Sequence, residues 1–216
     1  MAVSLSAAAL LAVREQHLQE YAPSGVYGID KSIRGFPRGA ISELTGPRSS
    51  GRTSIAYTSL AQGTKRLECC AYVDASGSFD PRGAKAAGAD LERIVWVRCA
   101  GDAAAALKAA DLLLHAGGFG VVCLDLGGLP ARDLNQIPVS YWFRFRKAIQ
   151  NTPTVLLVLG EHANARSCAS VCLRFENAKA RWSGDAPARL FRGLVSHADV
   201  ERPGPAGTLR FESVTV

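Results

Sequence analysis

Short, uninterrupted apolar runs alternate along most of the chain with stretches in which apolar positions recur every third or fourth residue. The first pattern fits a strand covered on both faces and the second an amphipathic helix. Residues 40–44 form the first apolar run, and 53–62 read as a helix that Gly63 should stop. Strands are then expected at 69–74, 93–97 and 119–126, with a short helix at 81–87. An Ala/Leu-rich helix at 103–116 ends in Gly117-Gly118. Residues 136–150 place Ile137, Tyr141, Phe145 and Ile149 at successive i+4 positions of a further helix, and 154–159 is another apolar strand.

This alternation predicts an α/β fold with a mostly parallel central sheet flanked by helices. Beyond Ala163 the helical units fade. Residues 171–175, 189–196 and 208–214 read as strands, the last two joined across Pro203-Gly204-Pro205, so an antiparallel C-terminal extension is expected. At the other end, 4–21 carry Leu5, Ala8, Leu11 and Leu18 at near-helical spacing. The stretch that follows, through Gly28, Gly35, Pro37 and Gly39, is too rich in Gly and Pro for regular structure. The predicted organisation is an N-terminal helix and linker over 1–24 and a single domain over 25–216. That helix would cover its own domain or dock on a neighbouring molecule.

Composition narrows the picture. With 48% hydrophobic and 20% charged residues, the 216-residue chain can bury a sizeable core. No apolar run approaches the roughly 20 residues of a membrane helix, and the apolar start lacks the flank of an export signal, so a cytoplasmic protein with no membrane contact is expected. The six cysteines show no CxxC pair, and Cys69, Cys70 and Cys123 fall inside apolar strand-like runs, which predicts buried thiols rather than disulfides or zinc ligands. A formal charge of +6 permits contact with nucleic acid or with an acidic protein surface.

The chemistry concentrates in Gly46-Pro47-Arg48-Ser49-Ser50-Gly51-Arg52-Thr53, between the first apolar strand and the following helix. The spacing is that of a phosphate loop, in which glycines let backbone N–H groups turn toward phosphate oxygens at a helix N-terminus. A Lys reaches the β/γ-phosphates in such a loop, and a Ser/Thr hydroxyl binds Mg²⁺. Here Arg52 stands at the Lys position. Its planar fork keeps the charge but cannot replace a slim ammonium without moving the phosphate. The run Val121-Val122-Cys123-Leu124-Asp125 ends in an acid where a Mg²⁺-holding carboxylate belongs. Gly46, Ser49, Ser50, Gly51, Arg52, Thr53 and Asp125 are therefore the candidate nucleotide site, with Thr53 and Asp125 as metal ligands if ATP is bound. ATP and Mg²⁺ are admitted rather than required. The bland alternative is a Gly-rich strand-to-helix turn with an unrelated Asp.

Three runs carry a resemblance: Leu44 through Thr53, Val73-Asp74-Ala75-Ser76-Gly77-Ser78-Phe79-Asp80-Pro81, and Ala84-Lys85 to Gly88-Ala89-Asp90. In order and spacing they resemble the core of bacterial RecA recombinase, from about Gly25 to the C-terminus, which implies a RecA-like P-loop NTPase core. The resemblance also marks departures. The family's water-activating acid corresponds to Ser76, its adenine-stacking Tyr to Gly83, and its γ-phosphate-sensing Gln to Glu161, beside the Lys-to-Arg52 change. A serine is no general base without a base of its own, and Gly83 offers no ring. On this resemblance, no counterpart of the family's second mobile DNA loop or of its large C-terminal domain is expected, so DNA contact is expected to be weak or indirect. A short protein of this design resembles the ImuA group, also called SulA-like or RecA-like SOS proteins.

That resemblance implies an accessory protein of damage-induced translesion synthesis, without catalysis or nearly so, acting as an adaptor for an ImuB-like Y-family polymerase homologue and an alternative C-family DNA polymerase. RecA itself and a second copy of the chain are further candidate partners. The competing readings are an active ATP-dependent RecA-type paralogue, with Glu161 or Asp74 as base, and a SulA-like cell-division inhibitor. One surface segment stands out, Tyr141-Trp142-Phe143-Arg144-Phe145-Arg146-Lys147, where aromatics interleave with cations as in strand-binding surfaces. Phe143, Arg144, Arg146 and Lys147 are the candidate DNA or partner contacts. The bland reading buries Tyr141, Trp142, Phe145 and Ile149 and leaves Arg144 and Lys147 in water.

Overall fold

The computed structural model describes residues 21–185, 189–202, 204 and 207–214; the expected N-terminal helix lies almost wholly outside them. Two short strands, β1 (Tyr21–Ala22) and β2 (Phe36–Pro37), pair antiparallel around a helix, α1 (Tyr27–Ile33). The expected irregular linker is therefore partly regular. Ile29 anchors α1 in the core, and Asp30 Oδ1 accepts from Ser24 N at 2.8 Å, which fixes the turn into the helix despite the glycines.

Six parallel strands form the centre of the main sheet. In chain order they are β3 (Ala40–Thr45), β4 (Cys69–Asp74), β5 (Ile94–Arg98), β6 (Phe119–Asp125), β7 (Val155–Gly160) and β8 (Ala169–Phe175). They lie side by side as β8-β3-β7-β6-β4-β5. Beyond β8 the sheet turns antiparallel through β10 (Leu190–Arg202), which also pairs with β9 (Lys179–Ser183) and β11 (Thr208–Val214). The antiparallel extension is thus present and longer than expected: it includes β9, whose five residues, KARWS, alternate polar and apolar but are too few, and with four of the five exposed too little buried, to stand out as a strand.

The helices are α2 (Arg52–Lys65), α3 (Pro81–Ala86), α4 (Ala103–Ala116), α5 (Ala131–Asn135) and α6 (Val139–Ile149). Successive side chains of a strand point to opposite faces, and here both faces are dry. Tyr72, Cys123 and Leu157 pack toward α1, α2 and α3, while Val73, Val122, Leu124 and Leu156 pack toward α4 and α6. Asp80 and Asp102 cap α3 and α4 by accepting backbone N–H bonds, with Pro81 at the first position of α3.

Three further expectations fail for identifiable reasons. Gly63 does not stop α2; a Cβ there would lie 2.7 Å from Cys70 Sγ, so this glycine serves close packing of α2 on β4. The helix expected at 136–150 begins at Val139, because Pro138 occupies its N-cap and the preceding residues fold separately as α5. Cys69 is exposed at the start of β4, whereas the other five cysteines are buried and free. Among the described residues no helix is long and apolar enough to cross a membrane.

Candidate phosphate-loop site

The loop between β3 and α2 opens at the carboxyl edge of the parallel strands, where open α/β sheets place their ligands. Gly46 sits at φ 146° and a Cβ there would come within 2.5 Å of the Phe175 carbonyl oxygen, so β8 excludes any other residue. Ser49 (φ 59°) and Gly51 (φ 100°) both take left-handed conformations and curl the loop back toward the helix. Gly51 is the N-cap of α2 and supplies no side-chain acceptor, so the first N–H groups of this 14-residue helix are left for a ligand. Ser50 Oγ is buried among the described residues without a hydrogen-bond partner.

A cleft of 220 Å³ lies over this loop, lined by Arg48, Ser49, Arg52, Thr53, Ser76, Ser78, Asp125, Gly127 and Gly128. Four of the seven candidate nucleotide-site residues, Ser49, Arg52, Thr53 and Asp125, line this one cleft, and Ser50 and Gly51 belong to the loop beneath the first turn of α2 without lining it. Gly46 stands just behind it, beside Glu161 in an adjoining cleft with Pro47, Arg174 and Glu201. A larger cleft of 610 Å³ lies elsewhere, between the start of α4 and α5–α6. Of its two carboxylates, Asp102 caps α4 through Ala104 N and Ala105 N and Asp133 lies 3.3 Å from Arg132, and none of the candidate nucleotide-site residues lines it.

Arg52, the first residue of α2, is only 8% exposed and forms no hydrogen bond or ion pair with the other described residues. Burial pushes its guanidinium pKa down, opposed by the fields of Asp125 and then Glu161. A Cβ on Gly127 would meet Asp125 Oδ1 at 3.0 Å and Arg52 Nη1 at 3.7 Å, which places the guanidinium in the space next to that carboxylate.

Asp125, at the tip of β6, is 3% exposed and fully engaged by its own chain. Its Oδ2 accepts from the Tyr72 hydroxyl at 2.6 Å and from Ser78 Oγ at 2.9 Å, while Oδ1 accepts from Gly127 N at 2.8 Å. Burial pushes the Tyr72 phenol well above its usual pKa, and its contact with Asp125 adds to this, so it stays protonated and donating. Three donors use most of the roughly four lone-pair positions of a carboxylate. With a guanidinium alongside, the donor set is a poor fit for Mg²⁺, even though Thr53 lines the same cleft.

The neighbouring acid is also occupied. Asp74, in register with Asp125 across β4–β6, is completely buried. It accepts from Gly77 N, Ser78 N, Phe79 N and Trp96 Nε1 at 2.7–3.2 Å. Asp74 therefore holds the 75–79 turn that delivers Ser78 to Asp125, and it does not face the cleft as a free base. Ser76 is exposed at the cleft margin. Gly83 lies in α3, where a Cβ would stand 3.2 Å from the Tyr57 ring. The hydroxyl caps Tyr72 and Ser78 went unread in the sequence. The available signal was a tyrosine inside an otherwise small apolar strand, beside a strand that ends in an acid.

On α6, Trp142, Phe145 and Ile149 are buried and Tyr141 is half-buried. Phe143 is 48% exposed with the Arg146 guanidinium 5.5 Å from its ring centroid. Arg144 donates to Asp111 of α4 through Nε at 3.0 Å, and Lys147 is exposed. The four contact candidates thus share an outer face, away from the phosphate loop, with Arg144 already paired.

Comparison with known proteins agrees with this architecture. The RecA N-terminal domain family matches residues 5–130. Protein RecA of Treponema denticola is 37% identical over 108 residues, covering 49% of this chain and 26% of that protein. Protein RecA of Lactobacillus delbrueckii subsp. bulgaricus is 35% identical over 105 residues (48% and 31%), and that of Francisella tularensis subsp. novicida 36% over 105 (48% and 29%). The matches span about a quarter to a third of the length of these curated relatives. The family match over residues 5–130 covers more than half of the chain, and the chain belongs to the RecA family by way of its N-terminal domain.

Proposed function

We propose that this RecA-family protein is an accessory factor of translesion DNA synthesis, of the ImuA kind, that works through protein contact rather than ATP-driven strand exchange. The observation that carries this reading is Asp125: the carboxylate expected to hold a metal is bound by Tyr72, Ser78 and Gly127 of its own chain. Three further features support it. Arg52 replaces the lysine, Ser76 stands where the water-activating acid belongs, and Asp74 is tied into its own turn. A frame retained with its charges satisfied internally suits a scaffold. The partners proposed are an ImuB-like Y-family polymerase homologue and an alternative C-family polymerase. The outer face of α6, with Phe143 and Arg146, is the surface offered to them or to DNA.

The test is reconstitution with the ImuB-like protein, read by co-elution on a sizing column, alongside ATP hydrolysis with and without single-stranded DNA. A stable complex without turnover fits the proposal. DNA-stimulated turnover without complex formation refutes it. The second reading, an ATP-dependent RecA-type paralogue, is favoured by one feature, the loop geometry at Gly46, Gly51 and Thr53. Under that reading Asp125→Ala abolishes hydrolysis.

A further inference from the structure

We infer that the phosphate loop takes a phosphate-chain oxyanion without a divalent metal, the Arg52 guanidinium doing the work of both lysine and ion. The inference rests on the non-catalytic reading above. A cation buried to 8% exposure is costly unless an anion meets it, and Arg52 has no hydrogen-bond or ion-pair partner among the described residues. The nearest candidate partner, Asp125, cannot serve as a full counter-ion because both its oxygens already accept bonds from Tyr72, Ser78 and Gly127. The unused donors gather at the loop, with Arg52 and Thr53 lining the cleft itself. They are the guanidinium fork, the uncapped first turn of α2 and the orphaned Ser50 hydroxyl.

A planar fork with parallel N–H groups binds two oxygens of a phosphate at once, which a point-charge ammonium does not do. In a loop carrying lysine, a metal would bridge phosphate oxygens to the strand-tip acid. Here that acid is sealed by hydroxyls and the guanidinium lies in the space beside it. The cleft volume, 220 Å³, falls below the roughly 300–1,000 Å³ of sites that enclose a drug-sized ligand. It accommodates a phosphate chain, and Gly83 supplies no ring for a base. Recognition therefore falls on the phosphates, whether these are inorganic pyrophosphate or the tail of a nucleotide.

The experiment is isothermal titration of the full chain with inorganic pyrophosphate and, separately, with ADP, each in EDTA and again in excess Mg²⁺. Phosphate release from ATP is followed on the same samples. The expected result is saturable pyrophosphate binding in EDTA that Mg²⁺ does not tighten. Arg52→Met should weaken it by about ten- to a hundredfold, the range for a hydrogen bond to a charged group. Because that variant removes an unpaired buried charge, it is expected to fold, and the thermal midpoint of the free protein should not fall. Tyr72→Phe combined with Ser78→Ala frees Asp125 and should make binding respond to Mg²⁺. Equal affinity for pyrophosphate and ADP marks the phosphate chain as the recognised part, and tighter ADP adds a nucleoside contact; both bear the inference out. No pyrophosphate binding in EDTA, or tightening of tenfold or more by Mg²⁺, overturns it. Silence in the calorimeter without ATP turnover overturns the inference alone, whereas ATP turnover overturns the proposed function as well.

Discussion

Removing the Asp125 carboxylate separates a structural role from a metal-binding one by the sign of a coupling. The Tyr72 side chain is fully buried and its hydroxyl lies 2.6 Å from Asp125 Oδ2. Tyr72→Phe deletes a hydrogen bond to a charged acceptor and leaves no cavity, which should destabilise the protein by about 1.5–3 kcal/mol. For a domain of this size that is a fall in Tm of roughly 3–12 °C. Asp125→Ala strands the phenol in the core, at about 1–3 kcal/mol, while Ser78 and Gly127, both nearer solvent, can turn to water. In the double variant donor and acceptor are both gone, so Tyr72→Phe should cost almost nothing, or even stabilise, once Asp125 is Ala. The coupling expected is about 1.5–3 kcal/mol, read from urea midpoints of wild type, both single variants and the double. Additivity to within about 0.5 kcal/mol would refute the cap. So would an Asp125→Ala variant more stable than wild type, the behaviour of a carboxylate held in place only for a metal.

Glu43 on β3 is buried and accepts from Asn164 N and Ala165 N; burial raises its carboxyl pKa, with those two bonds opposing. A raised folded pKa means the folded state binds the proton more tightly, so this contribution to stability is complete below the ordinary glutamate value and lost as pH rises through the folded one. Glu43→Gln should remove that dependence, seen as urea midpoints that decline less than those of wild type upward from about pH 4; identical slopes would contradict it. A thiol reagent under native conditions should label one cysteine quickly, Cys69, with the other five protected until unfolding, and fast labelling of Cys70 would contradict the packing of β4. Burial pushes the Cys70 thiol up to about 12, which further suppresses its reactivity. Gly46→Ala should destabilise by several kcal/mol, of order 3, because backbone rather than a flexible side chain blocks the new Cβ; a variant with an unchanged urea midpoint would remove the close β8 contact from the account. Phe143→Ala with Arg146→Ala should leave the urea midpoint within about 0.5 kcal/mol of wild type, since both side chains sit on the surface. The same pair should weaken co-elution with the ImuB-like protein, and unaltered co-elution would move the contact elsewhere.

The parallel sheet was legible because its strands are buried on both faces and so read as unbroken apolar runs; β6 and β7 are the clearest cases. The phosphate loop was legible from the spacing of Gly46, Gly51 and Thr53 between an apolar strand and a helix; Gly51 answers a local backbone demand, whereas the reason for Gly46, the Phe175 carbonyl of β8, is long-range. Gly63 misled because its role is long-range: it lets β4 approach α2, and nothing local in the sequence separates that from a helix stop. The short helix α1 escaped because the bond from Ser24 N to Asp30 outweighs the glycine content around it. In the site, the positions of Arg52 and Asp125 could be read from spacing. That Asp125 is capped could not, because the Tyr72 and Ser78 hydroxyls reach it from another strand and its following turn, 53 and 47 residues away.

The most direct test is steady-state ATP hydrolysis by the full chain in Mg²⁺, with saturating single-stranded DNA and with none. An internally satisfied Asp125 and an Arg52 loop predict no release above the protein-free rate under either condition. Release that DNA stimulates and Asp125→Ala abolishes would contradict the account at its centre.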